Sequence, residues 1–546
     1  MPSALKNQRL HLLSIKCLPA DLPKKFHLLN SNSSVNLQQA VGKYNQPLLW
    51  LFFIASCIIG VITIYYHEMW RDESQAFLLV RDSKNLSELW QNVRYEGHPI
   101  LWHFILFVAY RLFPSIYTIQ VVHILTGLSV VALIIFYSPF SLLEKFLLSF
   151  SYFFSFEYLV ISRNYSIGIF FLLLSVCIFK KRKFSNSIIC IAILLGLAAN
   201  SNIYSFIISC CLFAYFLFDS FLSNNFSSYK FRLFWLSSAI FTFFLAIALL
   251  QLNAPADRIP KLKISANIDC RRMGKISKEV SEVFFYMPDP SKKQKYWGFS
   301  VFEGKYFNRH FLKNLFFYLP QLLTLIFLIL LFLTLKKSKP ILLFVAGASI
   351  GLFMFVYLIF DRGLLRHTGA FFILLIIALW LYRSSYTFSD KSGIYFNYLF
   401  KTILLVQFAG SVIVHVYEIK YTFSGAKDAA AFLIKTHRNN DKIILHPDFE
   451  GMSLLHYGRI NQVYYPTINE RGSFIKFSDK RKPCSNEEIY TRALRDDIET
   501  MVFNNRKSDS IVNLFGYRLI YQPATTSTVS DENFWIYGKI KRQVIY

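Results

Sequence analysis

Apolar residues fall in long runs along this chain. Leu49–Tyr66, Leu233–Gln251, Leu312–Leu335 and Ile341–Phe360 are each mostly apolar and close to the roughly 20 residues that a helix needs to cross a hydrocarbon layer about 30 Å thick. Read against Pro, Gly and charged breakers, the whole pattern predicts spans near 48–66, 98–113, 115–138, 142–160, 164–180, 186–200, 203–219, 233–252, 311–335, 340–360, 364–383 and 395–416. Two polar intervals, 67–97 and 253–310, interrupt them and are too long to be plain connectors between packed helices. From about Ser424 the pattern changes to helices near Ala426–Lys435, Gly451–Tyr457 and Asn486–Ala493. Between them lie strands near Lys442–Leu445, Val463–Tyr465, Thr500–Phe503, Tyr517–Tyr521 and Phe534–Tyr537. The expected fold class is mainly α: a polytopic membrane protein of about 11 or 12 transmembrane helices with a small α/β domain at its C-terminal end. The expected divisions are a polar leader at 1–47, a membrane domain at 48–423 and the α/β domain at 424–546. No small-residue cleavage site follows the first apolar run, which therefore reads as a retained anchor helix.

Composition agrees. The apolar fraction is 54% and the charged fraction 17%, against roughly 25% charged in an average soluble chain, which excludes an ordinary soluble enzyme. The formal net charge of +26 would suggest nucleic acid in a soluble protein. Here many Lys and Arg occupy short loops between apolar runs, where they report topology, and no nucleic-acid partner is expected. Lys180–Lys183 and the Lys336, Lys337 and Lys339 group are the densest short-loop patches and should face the cytoplasm. Counting outward from them puts 253–310, Asp361–Arg362 and the C-terminal domain on the other face. A cytoplasmic N terminus puts 67–97 there too. Three apolar runs then lie between 98 and 163, where an even number is required. One of them, either 98–113 or the run holding Glu144 and Lys145, does not fully cross, which leaves eleven crossings. Of the eight cysteines, only Cys270 and Cys484 stand where a bridge outside the cytoplasm could form, and one pair without a motif is a weak disulfide signal.

The first external interval opens with His67-Glu68-Met69-Trp70-Arg71-Asp72-Glu73-Ser74. An acidic pair just past a membrane helix sits at the bilayer surface. There, partial desolvation raises carboxylate basicity and a membrane-bound substrate presents its polar head. The plainer alternative is a pair of solvated helix-end charges, one of them capping the next helix. An amphipathic stretch, Ala76–Arg94, follows with the spacing of a helix lying along the membrane surface. Then come Tyr95-Glu96-Gly97-His98-Pro99 at the entry to the next apolar run and, further on, Ser162-Arg163-Asn164-Tyr165-Ser166.

This ordered set resembles the GT-C superfamily of polytopic glycosyltransferases, in particular its protein O-mannosyltransferase and aminoarabinose-transferase branch. Members show an Asp-Glu type motif after the first span, interfacial helices, a Gly-His-Pro or Lys-Pro-Pro type entry to the second span, and a later Arg-containing motif. The likeness is clearest over the first 220 residues. It implies an enzyme that takes a sugar from a polyprenyl-phosphate-type carrier and inverts the anomeric centre in one displacement on the non-cytoplasmic face, delivering it to a cell-envelope lipid, glycan or protein. Three roles follow: a base for the acceptor hydroxyl, a cationic group for the departing phosphate, and a groove for the isoprenoid tail. The resemblance places the catalytic roles at Asp72, as base, and Glu73, as a second acidic group that orients the acceptor or tunes Asp72. Arg163 leads for the phosphate because a guanidinium presents a planar, permanently charged fork. Arg71, His98, Tyr165, Arg362 and Arg366 are the further substrate-binding candidates. Arg at a helix end also commonly snorkels to lipid phosphates, which is the competing account of each arginine.

Some GT-C members use a divalent cation and others do not, so the cofactor is left open and no metal ligand is assigned. His446, Asp448 and His456 lack metal-ligand spacing. No phosphate-cradling Gly-rich loop, dinucleotide fingerprint or serine-nucleophile motif is present, which suits a lipid-linked donor. A different class of function, a carrier or flippase of lipid-linked glycans, predicts pseudo-symmetric halves and charges at mid-membrane; neither pattern is visible. A non-catalytic member of the same family would have no need of Asp72, Glu73 and Arg163.

Overall fold

The computed structural model describes residues 26–180, 187–222, 228–259, 269–289, 296–298, 300–303, 310–360, 365–436, 438 and 442–540. The chain divides into two compact units, Met1–Leu51 and Phe52–Tyr546. In the first, the described residues form the opening part of helix α1 (Phe26–Tyr66). The second unit continues from it through α2 (Arg71–Asp82), α3 (Leu86–Val93), α4 (Leu101–Leu112) and α5 (Thr118–Ala132), which a π-helical turn prolongs to Tyr137. Next are α6 (Leu142–Ser149), α7 (Tyr165–Lys180), α8 (Ser187–Ala199), α9 (Ile203–Leu222), α10 (Ser228–Leu252) and α11 (Cys270–Phe284). The membrane part closes with α12 (His310–Leu335), α13 (Lys339–Ile359), α14 (Leu365–Thr368), α15 (Ala370–Arg383) and α16 (Lys391–Lys420).

Among the described residues, seven helices are long and apolar enough to cross a membrane: Asn45–Tyr66, Thr118–Tyr137, Phe231–Leu252, Phe317–Leu335, Lys339–Ile359, Leu365–Arg383 and Lys391–Lys420. Four shorter ones, Leu101–Leu112, Tyr165–Lys180, Ser187–Ala199 and Ile203–Asp219, are equally apolar. On α13, Phe344, Ala348, Leu352 and Val356 are buried at four-residue spacing, whereas Leu343, Ile350 and Met354 are exposed by 67%, 64% and 48%. An apolar stripe turned outward opposite a packed stripe is the mark of a helix whose solvent is lipid. The chain is thus the mainly α polytopic membrane protein that its pattern predicts, with a small α/β domain at the C-terminal end.

The surplus apolar run is 98–113. Helix α4 has 12 residues, about 18 Å, too short for a hydrocarbon core of about 30 Å, and both of its ends stay on the face where α1 finishes. At its start the Leu101 N–H donates to the Asn200 carbonyl (3.0 Å). At its end Arg111 donates to the Ser83 carbonyl (2.6 Å). Helix α5 begins on the same face, where Gln120 donates to the carbonyls of Ile64 and His67, each at 3.3 Å. It finishes at the other face, where Phe136 meets Phe53 (5.7 Å between centroids). The run holding Glu144 and Lys145 does return across, broken into α6 and a π-helical turn, Phe153–Glu157. Phe146 meets Phe52 at one face and the Ser162 N–H reaches Glu73 at the other. Lys180 with Ser385, Lys337 with Asp390 and Arg383 with Glu144 then gather at one face, opposite Asp72.

Beyond α16, helix α17 (Ala426–Lys435) leads into a six-stranded sheet of order β3-β2-β1-β4-β6-β5. Its strands are β1 (Ile443–His446), β2 (Val463–Tyr465), β3 (Glu470–Gly472), β4 (Thr500–Phe503), β5 (Tyr517–Tyr521) and β6 (Trp535–Lys539). The central strand β1 runs parallel to β2 and β4, while β6 is antiparallel to both β4 and β5. Helices α18 (Met452–Gly458), α19 (Asn486–Arg495) and α20 (Asp509–Leu514) complete the domain. Strand alternation sorts the two sheet faces. Ile444, Met501 and Tyr537 pack on Ile489 and Ala493 of α19. Leu445, Val502 and Ile536 share a core with Phe77 and Leu78 of α2 and Leu106 of α4.

That second core adds what the sequence did not show. In helix α2, Phe77, Leu78, Leu79 and Val80 are exposed by no more than 2%, because α18 covers the helix. The ring of Phe77 lies 4.3 Å from that of His456. Strand β3 and helix α20 were not expected; Glu470-Arg471-Gly472 carries no apolar alternation to mark it. Cys270 and Cys484 are both free thiols.

Candidate active site

The place of Asp72 is fixed by the turn between α1 and α2. Glu73, third in α2, folds back onto the Trp70 N–H (3.1 Å), and acidic groups in a first helical turn gain from the dipole there. Asp72 and Glu73 are adjacent, so they point about 100° apart around the helix, and their surroundings differ completely. Glu73 is sealed in the interior, its carboxylate accepting from the Ser162 N–H (2.5 Å) and meeting His67 Nε2 (2.9 Å). The other ring nitrogen of His67 meets Glu418 (2.8 Å). Burial opposes a charge on that imidazole, but the two carboxylates raise it well above its ordinary value. The structure gives Glu73 no opening toward a substrate. It ties the Ser162–Arg163 segment to the start of α2.

Asp72 faces the arginines instead. Its Oδ2 lies 2.7 Å from Arg163 Nη1 and 3.4 Å from Arg366 Nη2. Burial alone would raise this carboxyl, but Arg163, then Arg366 and Arg71, outweigh it and hold the group below the usual aspartate range. The Arg366 guanidinium also rests over the rings of Trp70 (4.8 Å) and Trp297 (5.6 Å), a placement that favours a partly desolvated cation. Three residues from separate stretches of chain thus meet in one place.

The Tyr95–Pro99 stretch supplies the next wall. Gly97 has φ of +75°, a conformation that residues with a side chain rarely adopt, and the Arg258 guanidinium lies against the place where a Cβ would stand. Arg258, from the second external interval, donates to the Tyr95 carbonyl (3.0 Å). Burial, with Arg163 next, pushes the His98 imidazole down to about 3, so at neutral pH it is an uncharged hydrogen-bonding group. Glu96 was not singled out from the sequence. Burial pushes its carboxyl up to about 7, against a hydrogen bond from Gln75 (2.8 Å) and the field of Arg163. One ionised carboxyl and one that is partly protonated at neutral pH, inside the same electrostatic field, is a common acid–base arrangement.

The Glu96 shift has a measurable sign. The folded chain holds a proton there that the unfolded chain has released between an ordinary glutamate value of 4.5 and about 7, so stability falls as pH rises through that window. Glu68 and Glu532, both also at about 7, act in the same direction. Buried neutral imidazoles such as His98 and His456 act in the opposite direction below pH 6.5, so the Glu96 part is read by comparison: relative to wild type, Glu96→Gln should gain more in thermal midpoint at pH 8 than at pH 5. An equal change at both would remove Glu96 from this role.

Arg71 is engaged by the C-terminal domain. Its Nη1 lies 2.6 Å from Asp531, and its backbone N–H donates to Glu532 Oε1 (2.7 Å). Glu532 is fully buried and also accepts from Ser424 (2.6 Å) and Ser453 (2.8 Å). The Met69 N–H donates to the Tyr457 hydroxyl, and Glu68 accepts from the Phe423 N–H. The C-terminal domain and its approach therefore grip the turn that carries Asp72. Arg362 lies outside the described residues.

Tyr165 lines a small cavity of about 270 Å³ with Tyr158, Tyr204, Asn202, Ser205 and Arg366. Leu374 and Leu375, two turns further along α15, join Phe284, Phe327, Leu331 and Phe353 in an apolar groove of about 1320 Å³ between α11, α12, α13 and α15. A polar site and an apolar groove thus share the α14–α15 segment. Among the described residues, no three His, Cys, Asp or Glu side chains converge to hold a metal ion.

No family model and no curated relative matches this sequence. Among solved structures, the chain is similar to the crystal structure of ArnT from Cupriavidus metallidurans in the apo state. The TM-score is 0.50 at 10% identity, with 90% of this chain and 98% of that chain covered. The likeness is one of fold.

Proposed function

We propose that this chain is an inverting glycosyltransferase that moves a sugar from a polyprenyl-phosphate-type carrier to a cell-envelope acceptor on the non-cytoplasmic face. The observation that carries this reading is the Asp72 carboxylate held between Arg163 and Arg366, with the α14–α15 segment running from Arg366 to the wall of the apolar groove. The GT-C-like fold supports it.

The arginines pair with Asp72 and keep it a poor base. A carrier phosphate competes for the same two guanidiniums, through charge-assisted hydrogen bonds that suit its oxygens. As they turn to the phosphate, Asp72 loses the field that depressed it and becomes basic enough to take the acceptor's hydroxyl proton. The acceptor oxygen attacks the anomeric carbon as the bond to the phosphate oxygen breaks. The phosphate then leaves with its charge on Arg163 and Arg366. Glu73 acts through His67 and Ser162, by keeping the Arg163 segment in place. The apolar groove accommodates the isoprenoid tail by van der Waals packing, since the tail already lies in hydrocarbon.

Membranes containing the chain should transfer sugar from polyprenyl-phosphate sugars and not from nucleotide sugars. Equal transfer from a nucleotide sugar in carrier-free membranes overturns the donor assignment. The basic residues at the face opposite Asp72 favour a cytoplasmic location for that face. Cysteines introduced at Lys337 and Lys435 should then react with an impermeant thiol reagent from opposite sides, Lys435→Cys from outside. Labelling of both from one side overturns the eleven-crossing count.

A further inference from the structure

At the end of α2 remote from Asp72 lies a cleft of about 1080 Å³ that the reaction above leaves unused. Asp82, Asn461, Gln462, Glu470, Phe474 and Lys476 are among the residues that line it. Two of the charged groups at its wall are already satisfied: Asp82 accepts two hydrogen bonds of 2.7 and 2.8 Å from Arg81, and Arg481 pairs with Asp448 at 2.5 Å. The exposed Arg471 also lines it. The exposed side chains of Asn461, Gln462 and Glu470 have no protein partner among the described residues. A planar amide or carboxylate offers several hydrogen-bonding positions in one plane, which suits a ligand dense in hydroxyls. The half-buried Phe474 ring adds an apolar face beside them.

The cleft is coupled to the reacting end of α2. Gln75 holds the loop that forms one wall by accepting from the Ile475 N–H (3.0 Å) and donating to its carbonyl (2.7 Å). The same amide nitrogen donates to Glu96 (2.8 Å). Asp72 and Asp82 stand ten residues apart on one helix, so the two sites are about 15 Å apart along its axis. A ligand with a hydroxyl at Asp72 and its far end in the cleft must be extended and polar. A peptide fits less well: the free edge of β3 is only three residues long, short for strand addition.

We infer that this cleft is a distal subsite for an oligosaccharide acceptor. The word acceptor rests on the transferase reading; saccharide binding at the cleft does not. Saturation-transfer NMR on the detergent-solubilised full chain tests it with maltotetraose, chitotetraose, tetragalacturonate and the peptide Ser-Gly-Ser-Gly. At least one saccharide should bind. The Asn461→Ala/Gln462→Ala double variant, with an unchanged thermal midpoint, should bind it about tenfold less tightly, the weight of about two side-chain hydrogen bonds. The inference is overturned if none of the three saccharides binds, if the peptide binds equally well, or if the double variant binds unchanged. Saccharide binding without transfer from any lipid-linked donor would count against the transferase reading alone.

Discussion

Asp72→Asn is expected to lower sugar transfer by about 10²–10⁴-fold, the usual weight of a general base, with little loss of folded protein. The variant keeps the shape of the side chain and one oxygen near Arg163, now 2.7 Å from the carboxylate, but it has no basic atom to receive the acceptor proton. Arg163 and Arg366 remain free to hold a carrier phosphate, so the apparent affinity for the donor should change little or improve. A fall in kcat with donor KM held or lowered is thus the expected split. Transfer within about threefold of wild type would remove Asp72 from the base role, since general-base losses start at about 10²-fold. A large rise in donor KM with kcat unchanged would recast it as a binding group.

Glu532→Ala should be comparably damaging by another route. The substitution leaves the Arg71 N–H without its acceptor at a buried helix start, along with the hydroxyls of Ser424 and Ser453. One orphaned buried donor costs about 1–3 kcal/mol. The thermal midpoint should fall, and amide exchange across Arg71–Asp82 should quicken, since that helix loses the group that fixes its first turn. Glu532→Gln keeps an acceptor for the Arg71 N–H and should restore most of both. Amide exchange reads this whether or not the chain transfers a sugar. Wild-type exchange in Glu532→Ala, or a Gln variant as damaged as the Ala variant, would sever the link between the C-terminal domain and α2.

These two residues mark how far the sequence can be read. Membrane helices are legible because lipid tolerates apolar residues on every face, so composition alone finds them. The strands at 463–465, 500–503 and 517–521 are legible because short β-rich runs stand between turn residues. Which apolar run fails to cross is not legible: the answer depends on Leu101 meeting Asn200 and Arg111 meeting Ser83, contacts between distant stretches. The covering of α2 was hidden for the same reason, since His456 and Tyr457 supply it from beyond the last membrane helix.

In the candidate site, motif order drew attention to Asp72 and Arg163, and the compact polar turn at 361–367 to Arg366; the fold brings the three together. The sequence also offered Glu73 as a group that orients the acceptor or tunes Asp72, and Arg71 as a substrate contact; the partners of Glu73 are Ser162 and His67, and those of Arg71 are Asp531 and Glu532. Glu96 stood inside a quoted motif, but its unusual proton affinity arises from burial that a sequence does not display. Glu532 had no signal at all: a glutamate between Asp531 and Asn533 looks like any solvated turn.

The hydrogen bond from Arg71 to Glu532 joins residues 461 positions apart, and that separation is also an interval of time. At synthesis rates of about 5–20 residues per second, roughly 20 to 90 s pass between the emergence of the two. Throughout that interval every membrane helix can insert while the turn bearing Asp72 still lacks its last fastening. The order of translation itself thus delays completion of this turn until the C-terminal domain has been made.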